Sequence, residues 1–296
     1  MSYEAIVIGG SYAGLSAALQ LARARRRVLV IDAGERRNRF ASTSHGFLGQ
    51  DGRAPGDIVA EARDQRLRYP TVAWHAGPAL SARRTEAAFS VEMGEGTVTG
   101  DRMILAIGVT DTLPDVPGLA ERWGRSVFHC PYCHGYELNQ GRIGVLAGSA
   151  LSMHHALLLP DWGPTTFFLN GTFEPDAAQR AELERRGAVV ERTPVAHITG
   201  ERADVVLQDG REVPLDGLFT LTRTRPSGTL AEQLGCKLED SPMGRFIAVD
   251  GIFRTSEPGV MACGDAARGA GSVALAVGDG AMAGVSTHRS LIFGAE

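Results

Sequence analysis

At 296 residues the chain is long enough for two domains with real cores. Its 44% hydrophobic and 22% charged content is that of a globular protein, and a net charge of −4 with a pI near 6.1 gives no field that favours nucleic acid or an anionic membrane. No run approaches the ~20 apolar residues of a membrane span, Lys237 as the single lysine removes most lysine-based chemistry, and four cysteines do not make a disulfide framework, so a reducing cytoplasm is the expected compartment.

Residues 5–8, Ala-Ile-Val-Ile, are a short apolar run suited to a buried parallel strand. Gly9, Gly10, Ser11, Ala13 and Gly14 lie in the turn after it. A small-residue helix is predicted over 15–25, and a second strand over 28–31 ends at Asp32. Strand, glycine turn, helix, strand and terminal acid match the dinucleotide fingerprint. Its glycines permit a tight turn, its helix N-terminus holds pyrophosphate, and Asp32 is placed for a pair of ribose hydroxyls. Ser11 stands where the pattern has its middle glycine. Residues 35–57 read as polar, glycine-rich loops, from which Arg39 and His45 are candidate cofactor contacts. A helix is predicted over 57–67 and a small antiparallel sheet from segments at 71–74, 88–92 and 97–100. Another buried strand over 102–108 runs through Ala106 into Gly108. Residues 113–118, Leu-Pro-Asp-Val-Pro-Gly, read as a linker.

Phe128-His129-Cys130-Pro131-Tyr132-Cys133-His134-Gly135 comes next. Two cysteines three positions apart can close a disulfide and reopen it by thiol exchange. The residue types alone also admit a glutaredoxin Cys-Pro-Tyr-Cys, the Cys-x-x-Cys-His of covalent haem, a zinc site completed by His129 and His134, or two ordinary buried cysteines. A glutaredoxin carries its motif near the start of a compact unit, which is not the arrangement here. Haem attachment follows export, and the N-terminus reads as a strand and not as an export signal. The remaining cysteines, Cys236 and Cys263, are single and distant, so no metal is expected. The pairing with a dinucleotide fingerprint favours a redox disulfide served by a flavin.

Residues 142–146 begin a second strand–turn–helix–strand unit, with its helix predicted over 149–159 and its next strand over 166–169. Laid on the first unit, Ala147 falls on Gly9, Ser149 on Ser11, Ser152 on Gly14 and Asn170 on Asp32. This is an internal repeat whose fingerprint has eroded. Asn170 offers no carboxylate to a ribose, and Gly171-Thr172 no cation to a 2′-phosphate, which leaves NAD(P)H doubtful as a cofactor. His154 and His155 on the second helix are read as surface. Further strands are predicted at 189–190, 205–207, 218–221 and 246–249, with a second linker at 224–228. A buried strand over 259–265 ends in Gly264-Asp265, Cys263 within it being plain core. The small-residue helix over 272–288 contains Ala274. Asp265 is placed to meet a ribityl or ribose hydroxyl, and the helix start to face a flavin ring.

With Gly9–Gly14, the turn at Ala106 and Gly108, Cys130–Cys133 and the 259–265 strand, the chain resembles the low-molecular-weight thioredoxin reductases over nearly its whole length. The resemblance implies an α/β protein of two Rossmann-like, three-layer ββα nucleotide-binding domains, the second inserted into the first. Residues 1–114 and 227–296 would form the FAD domain and 118–225 the inserted domain, with a degenerate NAD(P)H-type fold. It also implies a homodimer, with Cys133 against the flavin and Cys130 exchanging with substrate. Three departures stand out: His134 replaces the family's Asp, the second fingerprint is eroded, and the basic residues after position 169 are missing. In these respects the chain is similar to the dithiol oxidases of holomycin, gliotoxin and romidepsin type. That likeness implies a small-molecule dithiol as substrate and oxygen as final electron acceptor. A protein disulfide partner stays open, as does a reductase fed by NADPH or ferredoxin. His134 is the expected base for the substrate thiol, since imidazole titrates near neutral pH, with His129 second.

Overall fold

A computed structural model describes residues 2–294. The chain divides into two units: residues 1–39, 47–111 and 224–296 form the first, and residues 40–46 and 112–223 the second. The stretch 40–46 falls on the other side of the division expected from sequence, because Phe40 packs beside Gly124 and His45 pairs with Glu137.

The first unit opens with β1 (Ser2–Ile8), α1 (Tyr12–Arg23) and β2 (Val28–Asp32). Residues 5–8 and 28–31 are buried on both strand faces, which is why both read as unbroken apolar runs, and they pair in parallel with Ile6 opposite Leu29. After the long loop, α2 (Pro55–Leu67) starts on a proline, whose missing N–H costs nothing in the first turn. β3 (Val72–Ala76) joins the parallel sheet beside β2. β4 (Ala79–Arg84), β5 (Phe89–Met93) and β6 (Gly96–Leu105) form an antiparallel meander on the same sheet. The separate small sheet expected from sequence is therefore absent: its first segment is the parallel β3, and its last belongs to β6. The two strands predicted at 97–100 and 102–108 are this one strand. Its first half pairs with β5 and is for the most part exposed or half-buried, whereas Met103, Ile104 and Leu105 lie buried between β1 and a strand from the chain's far end. β7 (Val109–Thr112) follows.

In the second unit, β8 (Val127–Phe128) leads into the one-turn helix α3 (Pro131–His134). The internal repeat is β9 (Ile143–Leu146), α4 (Met153–Leu158) and β10 (Thr165–Phe168). The helix predicted over 149–159 is α4 flanked by 3-10 turns, Pro160 closing it. α5 (Ala177–Arg185), opened by a capping box between Asp176 and Gln179, was not anticipated. β11 (Val189–Glu191), β12 (Val195–Thr199), β13 (Asp204–Leu207), β14 (Glu212–Val213) and β15 (Gly217–Thr220) complete the unit. Its parallel sheet runs β11-β10-β9-β15-β8, with β12-β13-β14 as a small antiparallel sheet.

The chain then returns to the first unit. β16 (Arg223–Pro226) occupies the predicted second linker. α6 (Leu230–Gln233), β17 (Leu238–Ser241) and β18 (Gly244–Ile247) follow, and β17-β18-β16-β7 form a second sheet. β19 (Val260–Ala262) pairs in parallel with β6, and α7 (Val273–Phe293) packs along α1. A Cβ on Gly280 would lie 2.0 Å from the Ala13 carbonyl oxygen, and one on Gly284 2.6 Å from that of Ala17, so the two helices meet backbone to backbone.

Candidate active site

The first turn is built so that only glycine fits. Gly9 has φ +102°, and a Cβ there would sit 2.1 Å from the Ala106 carbonyl oxygen; a Cβ on Gly14 would sit 1.8 Å from that of Gly9. Gly10 donates its N–H to Asp32 Oδ1 at 3.0 Å, tying the turn to the end of β2. Ser11 is the N-cap of α1, yet its hydroxyl makes no capping bond, so the first-turn N–H groups are not taken by a side chain. The chain's other end arrives at the same place: a Cβ on Gly264 would lie 2.9 Å from Ala13 Cβ. Next to it, Asp265 Oδ2 accepts from Arg37 Nη1 at 3.0 Å, and Arg37 also makes two hydrogen bonds to Asp111. Burial opposes the Arg37 charge, but Asp111 and Asp265 outweigh it and raise its pKa.

Thus Gly9, Gly10, Ser11, Ala13, Gly14, Asp32, Ala106, Gly264 and Asp265 come together. Gly108 caps β6 at φ +64°, and its carbonyl accepts from Ser227 N–H. Ala274 lies half-buried in the first turn of α7, whose Ser272 Oγ accepts from Leu275 N–H. Arg39 turns its guanidinium to the Arg36 carbonyl at 2.8 Å. Sequence reasoning missed Arg37 and Asn38, whose only signal was a polar run just beyond β2. Asn38 Nδ2 donates to the Tyr12 hydroxyl, while Asn38 Oδ1 and Arg36 Nε are buried without a partner among the described residues. Such orphaned groups beside a glycine cradle and a free helix N-terminus suit an extended, anionic dinucleotide such as FAD.

In the second unit Cys130 and Cys133 are joined as a disulfide, Cα to Cα 5.3 Å, with Cys130 capping α3 and Pro131 in its first turn. Cys133 N–H donates to the Cys130 carbonyl. Gly135 lets the Trp162 ring lie against α3, and Trp162 meets Tyr132 edge to face at 5.4 Å. His134 stacks on Phe128 with ring centres 4.3 Å apart. Burial, and then the neighbouring His45, push its pKa down to about 4. The expectation that His134 titrates near neutrality is therefore corrected: it is a neutral imidazole at physiological pH. His129 lies against Trp123, ring centres 5.9 Å apart. His45 belongs to this unit and not to the one with the cradle; its Nε2 is 3.3 Å from Glu137 Oε1.

His155 also departs from the surface reading, being 3% exposed. Ser152, His155, Ala156 and Leu159 recur at helical spacing and face the sheet, which leaves His154 on the outer side.

The second turn differs from the first in its hydrogen bonds. Ala147 does not take up the left-handed backbone of Gly9. Gly148 N–H donates to Ser152 Oγ at 3.1 Å and Leu151 N–H to Ser149 Oγ at 3.3 Å. Asn170 Oδ1 accepts from Val195 N–H at 2.9 Å, tethering β12. Two N–H groups of this turn, those of Gly148 and Leu151, are thus held by the chain's own hydroxyls, and the ribose position has a structural task.

A dinucleotide cradle in one unit and a redox-competent disulfide in the other define a flavin-type disulfide oxidoreductase. The chain belongs to the pyridine nucleotide-disulphide oxidoreductase family, whose profile matches residues 3–280, and its cofactor is FAD. It is 34% identical to thioredoxin reductase tcpT of Claviceps purpurea (strain 20.1), over 98% of this chain and 94% of the relative. It is 33% identical to thioredoxin reductase sirT of Leptosphaeria maculans, over 95% and 92%. Among solved structures, an oxidoreductase from Agrobacterium tumefaciens superposes with a TM-score of 0.97 at 60% identity, covering 99% of both chains. HlmI does so with a TM-score of 0.90 at 34% identity, covering 98% of this chain and 93% of its own. Among the described residues no helix is long and apolar enough to cross a membrane.

Proposed function

We propose that the protein is a dithiol oxidase, closing a disulfide in a small-molecule dithiol at Cys130–Cys133 with oxygen as the final electron acceptor. The observation that carries this reading is the second turn, where Ser149 and Ser152 hold two N–H groups, Ala147 lacks the backbone of Gly9, and Asn170 is tied to Val195 instead of offering a ribose a carboxylate. Likeness to HlmI and to the tcpT and sirT proteins supports it.

A substrate thiolate attacks Cys130 Sγ, forming a mixed disulfide as the Cys130–Cys133 bond breaks and Cys133 leaves as a thiolate. The second substrate thiol loses its proton and attacks the substrate sulfur of the mixed disulfide, expelling Cys130. The substrate has then lost two electrons and two protons, and the cysteine pair has gained the two electrons. FAD, held by the cradle, would supply the two-electron acceptor for the reduced pair and the route of those electrons to oxygen. His134, neutral at pH 7, accepts the substrate thiol's proton. An imidazole that holds a proton only near pH 4 takes one from a thiol of pKa about 8.5 only as the thiolate is consumed in attack. His129 is the alternative acceptor, and a cytoplasmic setting would keep the substrate reduced.

The cradle residues Gly9, Gly10, Ser11, Ala13, Gly14, Asp32, Ala106, Gly264 and Asp265 would hold FAD, with Arg37 fixing Asp265. A homodimer is supported by the outward row Leu275, Met282, Val285 and Ile292 on α7, each 42–52% exposed and set on one face. In air, the purified protein with dithiothreitol should form one disulfide and one hydrogen peroxide per oxygen consumed. No oxygen uptake, together with NADPH-driven reduction of a disulfide, would return it to the reductases.

A further inference from the structure

We infer that Tyr132, the residue set between the two cysteines, determines specificity: its ring, braced by Trp162, receives an aromatic ring of the dithiol that reacts at Cys130. The inference rests on the proposed function and names the class of its substrate. The backbone is helical from Pro131 to Leu138, because α3 continues through Gly135 (φ −64°, ψ −39°) into a 3-10 turn. Tyr132 and Tyr136 therefore lie one turn apart on one face of this stretch. Both are left in solvent, 72% and 84% exposed. Gly135 shares that face, and a Cβ there would lie 2.9 Å from Trp162 Cγ and Cδ1, so the indole seats directly on the turn that carries the disulfide. Trp162 packs against the core of this unit and meets Tyr132 edge to face, ring centres 5.4 Å apart.

A tyrosine scattered on a surface needs no explanation. Tyr132 differs by its place. Cys130 caps α3, a helix of four residues that contains Cys133, so a molecule bonded to Cys130 Sγ in the mixed disulfide has Tyr132 two residues from its point of attachment. The contact with Trp162 holds the ring before any ligand arrives, which lowers the ordering cost of binding. Aromatic rings attract one another's faces and edges at centre separations of about 4.5–7 Å, and this cluster already offers one such pair with a tyrosine at its open side. Its size fits a small molecule. Even fully covered, three rings supply less than the ~800 Å² per partner of a standard protein interface, which favours a small dithiol over a protein one.

The test uses FAD-loaded protein without oxygen, varied in excess over dithiol, and compares 1,2-benzenedimethanethiol with dithiothreitol, both of which close six-membered rings. Each dithiol converted forms one S–S bond and gives up two electrons and two protons, which the opening Cys130–Cys133 bond takes up. Quenched alkylation counts the thiols that remain, so the rate read does not depend on where the electrons travel afterwards. Half-saturation with the aromatic dithiol should come at a concentration about tenfold lower than with dithiothreitol. Tyr132→Ala should erase that preference while the limiting rate with the aromatic dithiol is kept, and Tyr132→Phe should preserve it. Tyr132→Leu, which keeps apolar bulk without a ring, should behave as Tyr132→Ala, with flavin content and thermal midpoint as controls for folding. A wild type without the preference, or a Tyr132→Ala protein that keeps it, overturns the inference and leaves the oxidase reading in place. Equal loss of rate with both dithiols in Tyr132→Ala also overturns it, marking Tyr132 as a support of α3. A wild type that converts neither dithiol overturns the proposed function, and this inference with it.

Discussion

Gly14→Ala tests the cradle most sharply, because a single methyl group meets backbone and not a movable side chain. The added Cβ would stand 1.8 Å from the Gly9 carbonyl oxygen and 2.9 Å from its carbon. To reach ordinary contact distance, α1 and the turn must separate by about 1.5 Å. Overpacking of this kind costs about 1–3 kcal/mol of stability. The larger effect falls on the cofactor, since N–H groups aimed at a pyrophosphate lose range and angle together. Charge-assisted hydrogen bonds contribute about 1.5–3 kcal/mol each, so losing two weakens FAD binding by roughly 10²–10⁴-fold. Apoprotein from wild type and variant should be titrated with FAD by quenching of flavin fluorescence, with circular dichroism confirming the fold. A folded Gly14→Ala protein with unchanged affinity and one FAD per chain would refute the assignment of the first turn.

The other expectations concern the second unit. Cys130→Ser should leave Cys133 as a thiolate that gives the bound flavin a long-wavelength absorbance band, and Cys133→Ser should abolish both that band and turnover; the band appearing in the Cys133 variant would reverse the order of the sulfurs. His134→Ala should slow turnover about 10²-fold or more without removing a titration between pH 5.5 and 7.5, because His134 is already unprotonated there; loss of an inflection near pH 6.5 would contradict the lowered pKa. Ala147→Gly should leave FAD content unchanged and create no NADPH binding, since Ser149 and Ser152 still occupy the turn; measurable NADPH affinity in that variant would sink the argument from occupied donors. Buried His155, whose pKa falls from 6.5 unfolded to about 4 folded, binds more protons unfolded in that window, so its contribution is full above pH 6.5 and is lost as pH falls toward 4. That amounts to about 3 kcal/mol, and denaturation of wild type and His155→Leu across this range should show a shallower pH slope in the variant.

What was legible in the sequence was whatever local chemistry forces. β1, β2 and the glycines between them announce themselves because a strand buried on both faces must be apolar throughout, and because Gly9 and Gly14 have backbone where a side chain would go. β6 was split in two because its burial changes halfway along, from a half-exposed hairpin to the centre of a parallel sheet. α5 was overlooked because it buries little beyond Leu183, its start being set by the Asp176–Gln179 capping box. At the site, the Cys130–Cys133 spacing was explicit, and the loss of the second fingerprint could be read by superposing the repeats. The replacement bonds could not: that Ser149 and Ser152 turn inward on the helix start, and that Asn170 is bound to Val195, depends on side-chain direction. Arg37 is a similar case, since its partners Asp111 and Asp265 are remote in sequence and only folding brings them to it. His134 and His155 were misjudged for one reason. Their titration is set by burial, which neither neighbouring residue types nor spacing reveals.

The central claim is that electrons enter from a dithiol and not from a nicotinamide. Anaerobic titration of the oxidised, FAD-loaded protein with NADPH, NADH and dithiothreitol in turn, following flavin absorbance, addresses it directly. Dithiothreitol should bleach the flavin and admission of air should restore the colour with hydrogen peroxide formed, while micromolar NADPH and NADH leave the spectrum unchanged. Rapid bleaching by micromolar NADPH would contradict the account, because it would require the second turn to accept a nucleotide at N–H groups that Ser149 and Ser152 hold.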